Sequence, residues 1–215
     1  MRPLIVHGIK NRDEIEERLV EILPKVELGR EHLDRYSHEL SGGQQQRVAI
    51  GRAMILHPDL VVHDESPSSL DVSVQSQILN LLLRPQRDFN LTFLFISHDL
   101  IIVRHVSDRI AVIYLEKIVE IAETDDLFKN TMHPYTASLF SATPIPNPDV
   151  KALKRLVISG EPASPINPPS GCSFHPRCPY ATKECTSHEP RLIQFKGKHY
   201  VARNRARELD VSLVQ

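Results

Sequence analysis

The 215-residue sequence has few cysteines, an almost balanced charge and no long apolar run. Three cysteines are an odd number, so they do not form a closed disulfide framework, and we expect a reducing cytoplasm. No stretch reaches the roughly 18 apolar residues that span a bilayer, and no signal peptide is expected at the start. A formal net charge of −1 gives no basis for expecting a nucleic acid partner.

The most informative segment of the sequence surrounds two adjacent glycines. Leu40 and Ser41 precede Gly42 and Gly43, and a glutamine run beginning at Gln44 follows. Ser41 is a good helix N-cap, and the residues after the glycines place apolar side chains on one helical face. Glycines before a helix N-terminus let a large anion approach unpaired backbone N–H groups. The pattern predicts a phosphate site; the alternative is a glycine-rich turn before an ordinary helix.

A second segment places two carboxylates at the end of an apolar run. Leu60–His63 is typical of a buried parallel strand, and Asp64 and Glu65 follow it directly. Mg²⁺ prefers oxygen ligands, and an attacking water needs a positioned acceptor, so this pair fits phosphoryl chemistry. A bare Asp-Glu pair elsewhere is usually solvated surface charge. Here Asp71 lies a few residues further along the sequence.

A third segment repeats the strand-then-polar pattern. Thr92–Ser97 is a second candidate for a buried strand, and His98 follows it. An imidazole at this place can donate or accept a proton near neutral pH. A structural hydrogen-bonding histidine is the alternative.

A phosphate-binding loop of the form Gly-x-x-x-x-Gly-Lys-[Ser/Thr] is absent from the 215 residues. The Gly197-Lys198 pair has Leu192 in place of the first glycine and His199 in place of the hydroxyl residue. The 215 residues therefore contain neither the lysine nor the loop of backbone N–H groups with which such a motif binds phosphates.

These segments, in this order, resemble the signature, Walker B, D-loop and H-loop of ABC-type ATPases. The resemblance implies that Ser41, Gly42, Gly43 and Gln44 contact ATP, and that Asp71 does so from the D-loop. It implies that Asp64 helps to hold Mg²⁺, that Glu65 polarises the attacking water and that His98 contacts the γ-phosphate. The family usually reads Asp-Glu-Pro-Thr where this sequence has Asp64-Glu65-Ser66-Pro67, which affects the expected placement of Glu65.

The resemblance also implies a fold and an assembly. We expect residues 1–142 to be the C-terminal part of an α/β ABC ATPase domain, a P-loop NTPase fold with a mostly parallel sheet but without Walker A. The partners expected are a second ABC ATPase subunit, transmembrane permease subunits and, indirectly, an extracytoplasmic solute-binding protein. The expected location is the cytoplasmic face of the membrane, as a peripheral subunit. The function that the resemblance implies is that of an ATP-binding subunit, or a fragment of one, that couples ATP hydrolysis to solute uptake. The alternative is a non-catalytic truncated remnant or interaction module that cannot bind ATP alone. Whether the protein is an ATPase is not decided by the sequence, and without Walker A we do not expect it to hydrolyse ATP independently.

Residues 143–215 differ in composition from the preceding part, because nine of the sixteen prolines lie between Pro144 and Pro179. This Pro-rich segment resembles the C-terminal extension of oligopeptide/dipeptide importer ATPases, and we expect it to be irregular. Members of that group often carry four cysteines suited to an iron–sulfur cluster. Here Cys172, Cys178 and Cys185 would hold three corners, while the segment expected to supply the fourth ligand carries Arg203. Buried, unreactive cysteines are the equal alternative.

Local patterns predict further elements around these motifs. Asn11 is expected to cap a helix that ends near Gly29, and a second helix is expected from Val74 to Leu82. Two strands are predicted at Arg109–Tyr114 and Lys117–Ile121. They are joined through a turn where the family normally has glycine, so Glu116 is expected in a backbone conformation that disfavours a side chain.

Overall fold

The computed structural model describes residues 2–64, 83, 86–89, 91–142, 158, 160–161 and 163–204. The protein divides into two compact units, Met1–Val106 and Ser107–Gln215. The predicted domain boundary after residue 142 meets residues outside the described ones and stays a prediction. The predicted helix from Val74 to Leu82 also lies outside them.

The first unit combines helices with a short parallel sheet. Its elements are α1 (Arg2–Val6), α2 (Arg12–Lys25), α3 (Gly42–Met54), β1 (Leu60–Asp64), β2 (Thr92–Ile96) and α4 (Leu100–Val106). The predicted N-cap of α2 is confirmed, because the Asn11 side chain accepts a hydrogen bond of 2.9 Å from the Asp13 N–H. Two 3₁₀ turns, Arg30–His32 and Ser37–Glu39, lead into α3.

β1 and β2 pair in parallel, as predicted, from Leu60 opposite Thr92 to Asp64 opposite Ile96. One face of this pair contributes to the core of the unit, which includes residues of α1, α2, α3 and β1. The other face is uncovered among the described residues, and we call it the open face. It carries four large apolar side chains that are about half exposed, namely Leu60, Val62, Leu94 and Ile96.

The second unit is built around an antiparallel sheet with the strand order β3-β4-β6-β5. Its elements are β3 (Arg109–Tyr114), β4 (Lys117–Glu123), α5 (Thr124–Lys129), α6 (Pro134–Ala142), α7 (Lys183–Ser187), β5 (Leu192–Lys196) and β6 (His199–Ala202). The Pro-rich segment is therefore not irregular throughout, because it supplies α7 and the β5–β6 hairpin. None of the helices in the described ranges is long and apolar enough to cross a membrane.

The β3–β4 turn has the backbone expected from the sequence. Leu115 and Glu116 both have positive φ values, 45° and 64°. Two consecutive residues of this kind are typical of a type I′ turn, which glycine or asparagine adopts without steric cost. The prediction for Glu116 is confirmed, and Leu115 shares the same strain.

A buried ionic cluster holds β6 against β4. Glu120 is fully buried, and its carboxylate accepts hydrogen bonds from the Met132 N–H (2.7 Å) and the His133 N–H (3.0 Å). The His199 ring lies between two carboxylates, with Nε2 2.8 Å from Glu120 Oε1 and Nδ1 2.9 Å from Asp126 Oδ2. One glutamate thus joins the strand of the Pro-rich segment to the strand and loop that precede that segment.

Candidate functional site

The glycine pair lies in the first turn of α3, where the helix begins with reciprocal hydrogen bonds. The Ser41 Oγ accepts from the Gln44 N–H at 3.3 Å, and the Gln44 Oε1 accepts from the Ser41 N–H at 3.0 Å. Gly42 and Gly43 place no side chain beside this helix end. The 13-residue helix therefore presents first-turn N–H groups and the positive end of its dipole, which is suited to a phosphate.

The glutamines after the glycine pair fix the segment that leads into α3. Gln45 Nε2 donates to the carbonyl oxygens of Ser37 (2.7 Å) and Leu40 (3.2 Å), and Gln44 Nε2 lies 3.2 Å from His32 Nε2. These side chains hold the approach to the helix in one conformation. The sequence pattern marked Gln44 as a nucleotide contact, but gave no sign of this bracing role of Gln45.

Asp64 and His98 come to the same edge of the parallel sheet. Asp64 is the last residue of β1 and pairs with Ile96, the last residue of β2, and His98 follows two residues later. Both side chains are exposed to solvent. Because parallel strands end at the same edge, a carboxylate suited to Mg²⁺ and an imidazole are available together there.

Two residues that the sequence pattern did not single out define the backbone around His98. The Ser97 Oγ accepts from the Asp99 N–H at 3.0 Å. Asp99 Oδ1 in turn accepts from the N–H groups of Ile101 (2.9 Å) and Ile102 (3.2 Å), which caps α4. A Ser-x-Asp sequence before an apolar helical run is a recognisable capping signal, so it was available in the sequence.

Glu65 and Asp71, the predicted water-polarising residue and the predicted D-loop contact, lie outside the described residues. The displaced proline, Pro67, lies there too. Their roles remain predictions.

The three cysteines lie in the second unit and line one small cavity together with Arg203. Cys172 and Cys185 are linked through their backbones, because the Cys172 N–H donates to the Cys185 carbonyl at 2.9 Å. Burial raises the pKa of both the Cys172 and the Cys178 thiols. Burial acts on Cys185 in the same direction, but hydrogen bonds from Thr182 outweigh it and lower its pKa.

Arg203 lies at the position from which a fourth ligand was expected. It is buried, and its guanidinium donates to the Met132 carbonyl at 2.6 Å. A guanidinium has only N–H donors and no lone pair available for iron. No group of three or more His, Cys, Asp or Glu side chains within the described ranges is placed to hold a metal ion. Three cysteines with an arginine at the expected fourth position therefore do not fit the cluster. The alternative of buried, unreactive cysteines stays a prediction, because each of the three is only partly buried.

Comparison with known families gives two matches along the sequence. The ABC transporter family matches residues 5–68, which include α3, β1 and Asp64. The family described as the C-terminal region of oligopeptide/dipeptide transporters matches residues 119–185. The ABC transporter match covers the signature and Walker B segments, and the second match begins before the Pro-rich segment and extends into it.

Curated relatives cover nearly all of the 215 residues. An oligopeptide transport ATP-binding protein of Escherichia coli is 48% identical over 197 residues, which are 91% of this chain and 59% of that protein. One from Bacillus subtilis is 45% identical over 202 residues, 93% of this chain and 61% of the relative. The protein thus spans about three fifths of the length of the curated relatives it matches.

Solved structures with a similar fold are ATP-binding cassettes. An ATP-binding cassette of an ABC transporter in its ADP conformation aligns with a TM-score of 0.52 at 29% identity, over 62% of this chain and 52% of its own. A component of an ABC transporter complex from Clostridium perfringens aligns with a TM-score of 0.54 at 25% identity, over 64% of this chain and 55% of its own.

Proposed function

Because the protein belongs to the ABC transporter family and carries the C-terminal region of oligopeptide/dipeptide transporters, we propose that it acts as an ATP-binding subunit of a peptide-type importer. The capped N-terminus of α3 carries this proposal. Its Ser41–Gln44 turn lies inside the region matched to the ABC transporter family and has the chemistry of a phosphate site.

In this proposal Ser41, Gly42 and Gly43 contact the phosphates of an ATP molecule that is held mainly by the phosphate loop of another domain. Asp64 would supply an oxygen ligand to Mg²⁺, and His98 a hydrogen bond near the γ-phosphate. Glu65 would orient the attacking water, and Asp71 would contact the facing site. The family resemblance supports these roles, together with the meeting of Asp64 and His98 at one sheet edge.

Weak ATP binding by the 215 residues alone is part of the proposal. A phosphate loop supplies several charge-assisted hydrogen bonds, each worth about 1.5–3 kcal/mol. Three such bonds correspond to an affinity difference of more than about a thousandfold. The family resemblance implies that a phosphate loop of a second nucleotide-binding domain faces the signature turn, so these residues would form half of a composite site.

The assembly we propose supplies this second nucleotide-binding domain. The protein would pair with a second ATP-binding subunit and attach to transmembrane permeases at the cytoplasmic face of the membrane, where ATP turnover drives solute uptake. The names of the curated relatives support a peptide as the transported solute. The alternative proposal, a non-catalytic remnant, differs in one respect that can be measured: its signature turn does not contribute to ATP turnover by a partner.

The experiment that separates these proposals changes only the charge of the cap at position 41. Ser41→Asp and Ser41→Asn both keep an N-cap oxygen, so α3 remains capped in either variant. The aspartate also places a negative charge where the phosphate would lie. Each variant is purified as a heterodimer with an ATP-binding subunit that has a phosphate loop, and steady-state ATPase activity is measured.

We expect Ser41→Asp to lower ATP turnover by about tenfold relative to Ser41→Asn, which corresponds to about 1.4 kcal/mol. Light scattering must show the same heterodimer in both cases, so that loss of pairing is not mistaken for loss of catalysis. Equal activity of the two variants in intact heterodimers would support the remnant.

A further inference from the structure

The small cavity beside Arg203 is lined by three thiols that have no role in the nucleotide site. Cys172, Cys178 and Cys185 all contribute to its lining, and its volume is about 30 Å³. This is the space of about one water molecule, so nothing larger separates the three side chains. All three cysteines are free and partly exposed. The second unit therefore carries a cluster of nucleophilic groups close to its surface.

Cys172 and Cys185 are the two cysteines that the backbone brings together. The Cys172 N–H donates to the Cys185 carbonyl at 2.9 Å. Beside this bond, the Ser170 Oγ donates to the Thr186 carbonyl, also at 2.9 Å. Between the two contacts the approach is so close that a Cβ on Gly171 would lie 2.5 Å from the Cys185 carbonyl oxygen. The two segments are thus held against each other by adjacent hydrogen bonds.

This contact gives the two cysteines a separation that suits a disulfide. Residues joined by backbone hydrogen bonds in an antiparallel pair have Cα atoms about 5.5 Å apart. Disulfides most often join Cα atoms that are about 5.5–6 Å apart. Both side chains line the same cavity, and the Thr182 Oγ1 lies 3.5 Å from the Cys185 Sγ, so this sulfur has a defined neighbour. Formation of the bond therefore requires rotation of the side chains rather than movement of the backbone.

Cys178 has no such link to either of the other cysteines. Its N–H donates to the His175 carbonyl at 3.2 Å, and the His175 N–H donates to the Cys172 carbonyl at 2.9 Å. Cys178 thus lies beyond a 3₁₀ turn from Cys172 instead of directly beside it. The geometry selects one pair among the three cysteines.

We propose that Cys172 and Cys185 are a redox-sensitive pair that forms a disulfide, with oxidised glutathione, a small disulfide, as the oxidant. The thiolate of one cysteine attacks a sulfur of oxidised glutathione, which forms a mixed disulfide and releases one glutathione thiolate. The thiolate of the other cysteine then attacks the protein sulfur of the mixed disulfide and releases the second glutathione. The protein loses two electrons and two protons, and the oxidant becomes two molecules of glutathione.

The pair acts independently of ATP binding, because none of its residues belongs to the nucleotide site. The disulfide fastens α7, which carries Cys185, to the segment that carries Cys172. In the reducing cytoplasm that the sequence leads us to expect, both cysteines stay thiols until the oxidant accumulates.

The experiment treats the full 215-residue protein with oxidised glutathione and maps the bonds by mass spectrometry. Trypsin places the three cysteines in separate peptides, 156–177, 178–183 and 184–191. The intact protein should lose the mass of two hydrogen atoms. We expect the linked peptides 156–177 and 184–191 to be at least about tenfold more abundant than either alternative pair, since disulfide geometry is specific.

The denatured protein is the control for the native geometry. Shorter loops close more readily in an unfolded chain, so oxidation in guanidinium chloride should favour bonds between Cys178 and its neighbours in sequence, Cys172 and Cys185. The same mixture of linked peptides from native and denatured protein would contradict the proposal.

Cysteine variants test the same pairing. Cys178→Ser should keep the disulfide, whereas Cys172→Ser and Cys185→Ser should each stop at a mixed disulfide with glutathione. Oxidised Cys178→Ser should melt about 5 °C or more above its reduced form, because the bond restricts the unfolded chain.

Three results would overturn the proposal. The first is the absence of an intramolecular disulfide in the wild-type protein, which would support unreactive cysteines. The second is an intramolecular disulfide in Cys172→Ser that is as abundant as the one in the wild type. The third is a melting temperature of Cys178→Ser that does not rise on oxidation, which would show that the native backbone does not hold the pair at disulfide geometry.

Discussion

Replacing Glu120 with glutamine should be among the most damaging conservative changes in the second unit. The carboxylate is fully buried and accepts from three donors, the N–H groups of Met132 and His133 and the Nε2 of His199. A glutamine has one acceptor oxygen, and its NH₂ group must face at least one of these donors. The substitution therefore removes the negative charge beside His199 and leaves a buried donor without an acceptor.

The cost can be estimated from these contacts. Removing one partner of a buried, hydrogen-bonded charge pair typically destabilises a protein by about 3–5 kcal/mol. A domain of about 100 residues loses roughly 4–8 °C in melting temperature for each kcal/mol. We therefore expect Glu120→Gln to lower the melting temperature of the second unit by more than about 10 °C.

The ionic cluster of Glu120, Asp126 and His199 predicts that the stability of the second unit depends on pH. Burial alone would lower the pKa of His199, but Glu120 and Asp126 outweigh it and hold that pKa above its ordinary value of 6.5. Stability from the protonated ring is then fully present below about pH 6.5 and is lost as the pH rises through the higher folded-state pKa. Burial would raise the pKa of Asp126, but Asn130 and His199 lower it, so its contribution is lost only as the pH falls below 3.8.

The assay is thermal unfolding between pH 5 and pH 9, combined with hydrogen exchange of the segment around Met132. The control is Glu123→Gln on the same strand, because the Glu123–Lys198 ion pair is well exposed and should matter little. Glu120→Gln should also flatten the loss of stability on the alkaline side. Similar melting temperatures for the two variants, or an unchanged alkaline slope in Glu120→Gln, would refute the reasoning.

Backbone geometry and exposure lead to three further predictions. Gly171→Ala should prevent the second unit from folding stably, measured by thermal melting, because φ is 69° and a Cβ would lie 2.5 Å from the Cys185 carbonyl oxygen. Glu116→Gly should relieve the left-handed backbone strain in the β3–β4 turn and raise the free energy of unfolding by about 1 kcal/mol, with a higher melting temperature. A lower melting temperature than that of the wild type would contradict this. The open face should make the isolated protein prone to aggregation. A monodisperse monomer at high concentration in light scattering would show that this last expectation is wrong.

Local sequence signals predicted the elements of the first unit well. The Asn11 cap and the β1 and β2 strands all follow from short patterns of caps and apolar residues, and each is present. The β5–β6 hairpin was missed because the proline content of its segment favoured an irregular structure. Its pairing with β4 depends on Glu120 and His199, which are far apart in sequence, and no local pattern reveals such a contact.

The candidate sites also divide into those built from local features and those built from contacts between distant parts of the sequence. The signature turn and the Asp64–His98 edge were predictable because a helix start and two strand ends are local features. A larger cavity of the second unit, lined by Tyr114, Phe174 and Arg191, was not predictable, since its walls come from three separate segments of the sequence. The burial of Arg203 likewise emerges only when the surrounding fold is known.

The sheets of the two units differ in how completely their strands are paired and their faces are covered. This difference concerns the part of the first unit that carries Asp64 and His98. In the second unit β4 lies between β3 and β6 and is bonded on both sides. In the first unit the described parallel sheet has only two strands, and one of its faces leaves Val62 and Leu94 about half exposed. Parallel sheets are normally covered on both faces, so any layer that completes this one must be apolar. The edge that carries Asp64 and His98 belongs to the same sheet, so a layer that covers the open face would lie beside these two residues.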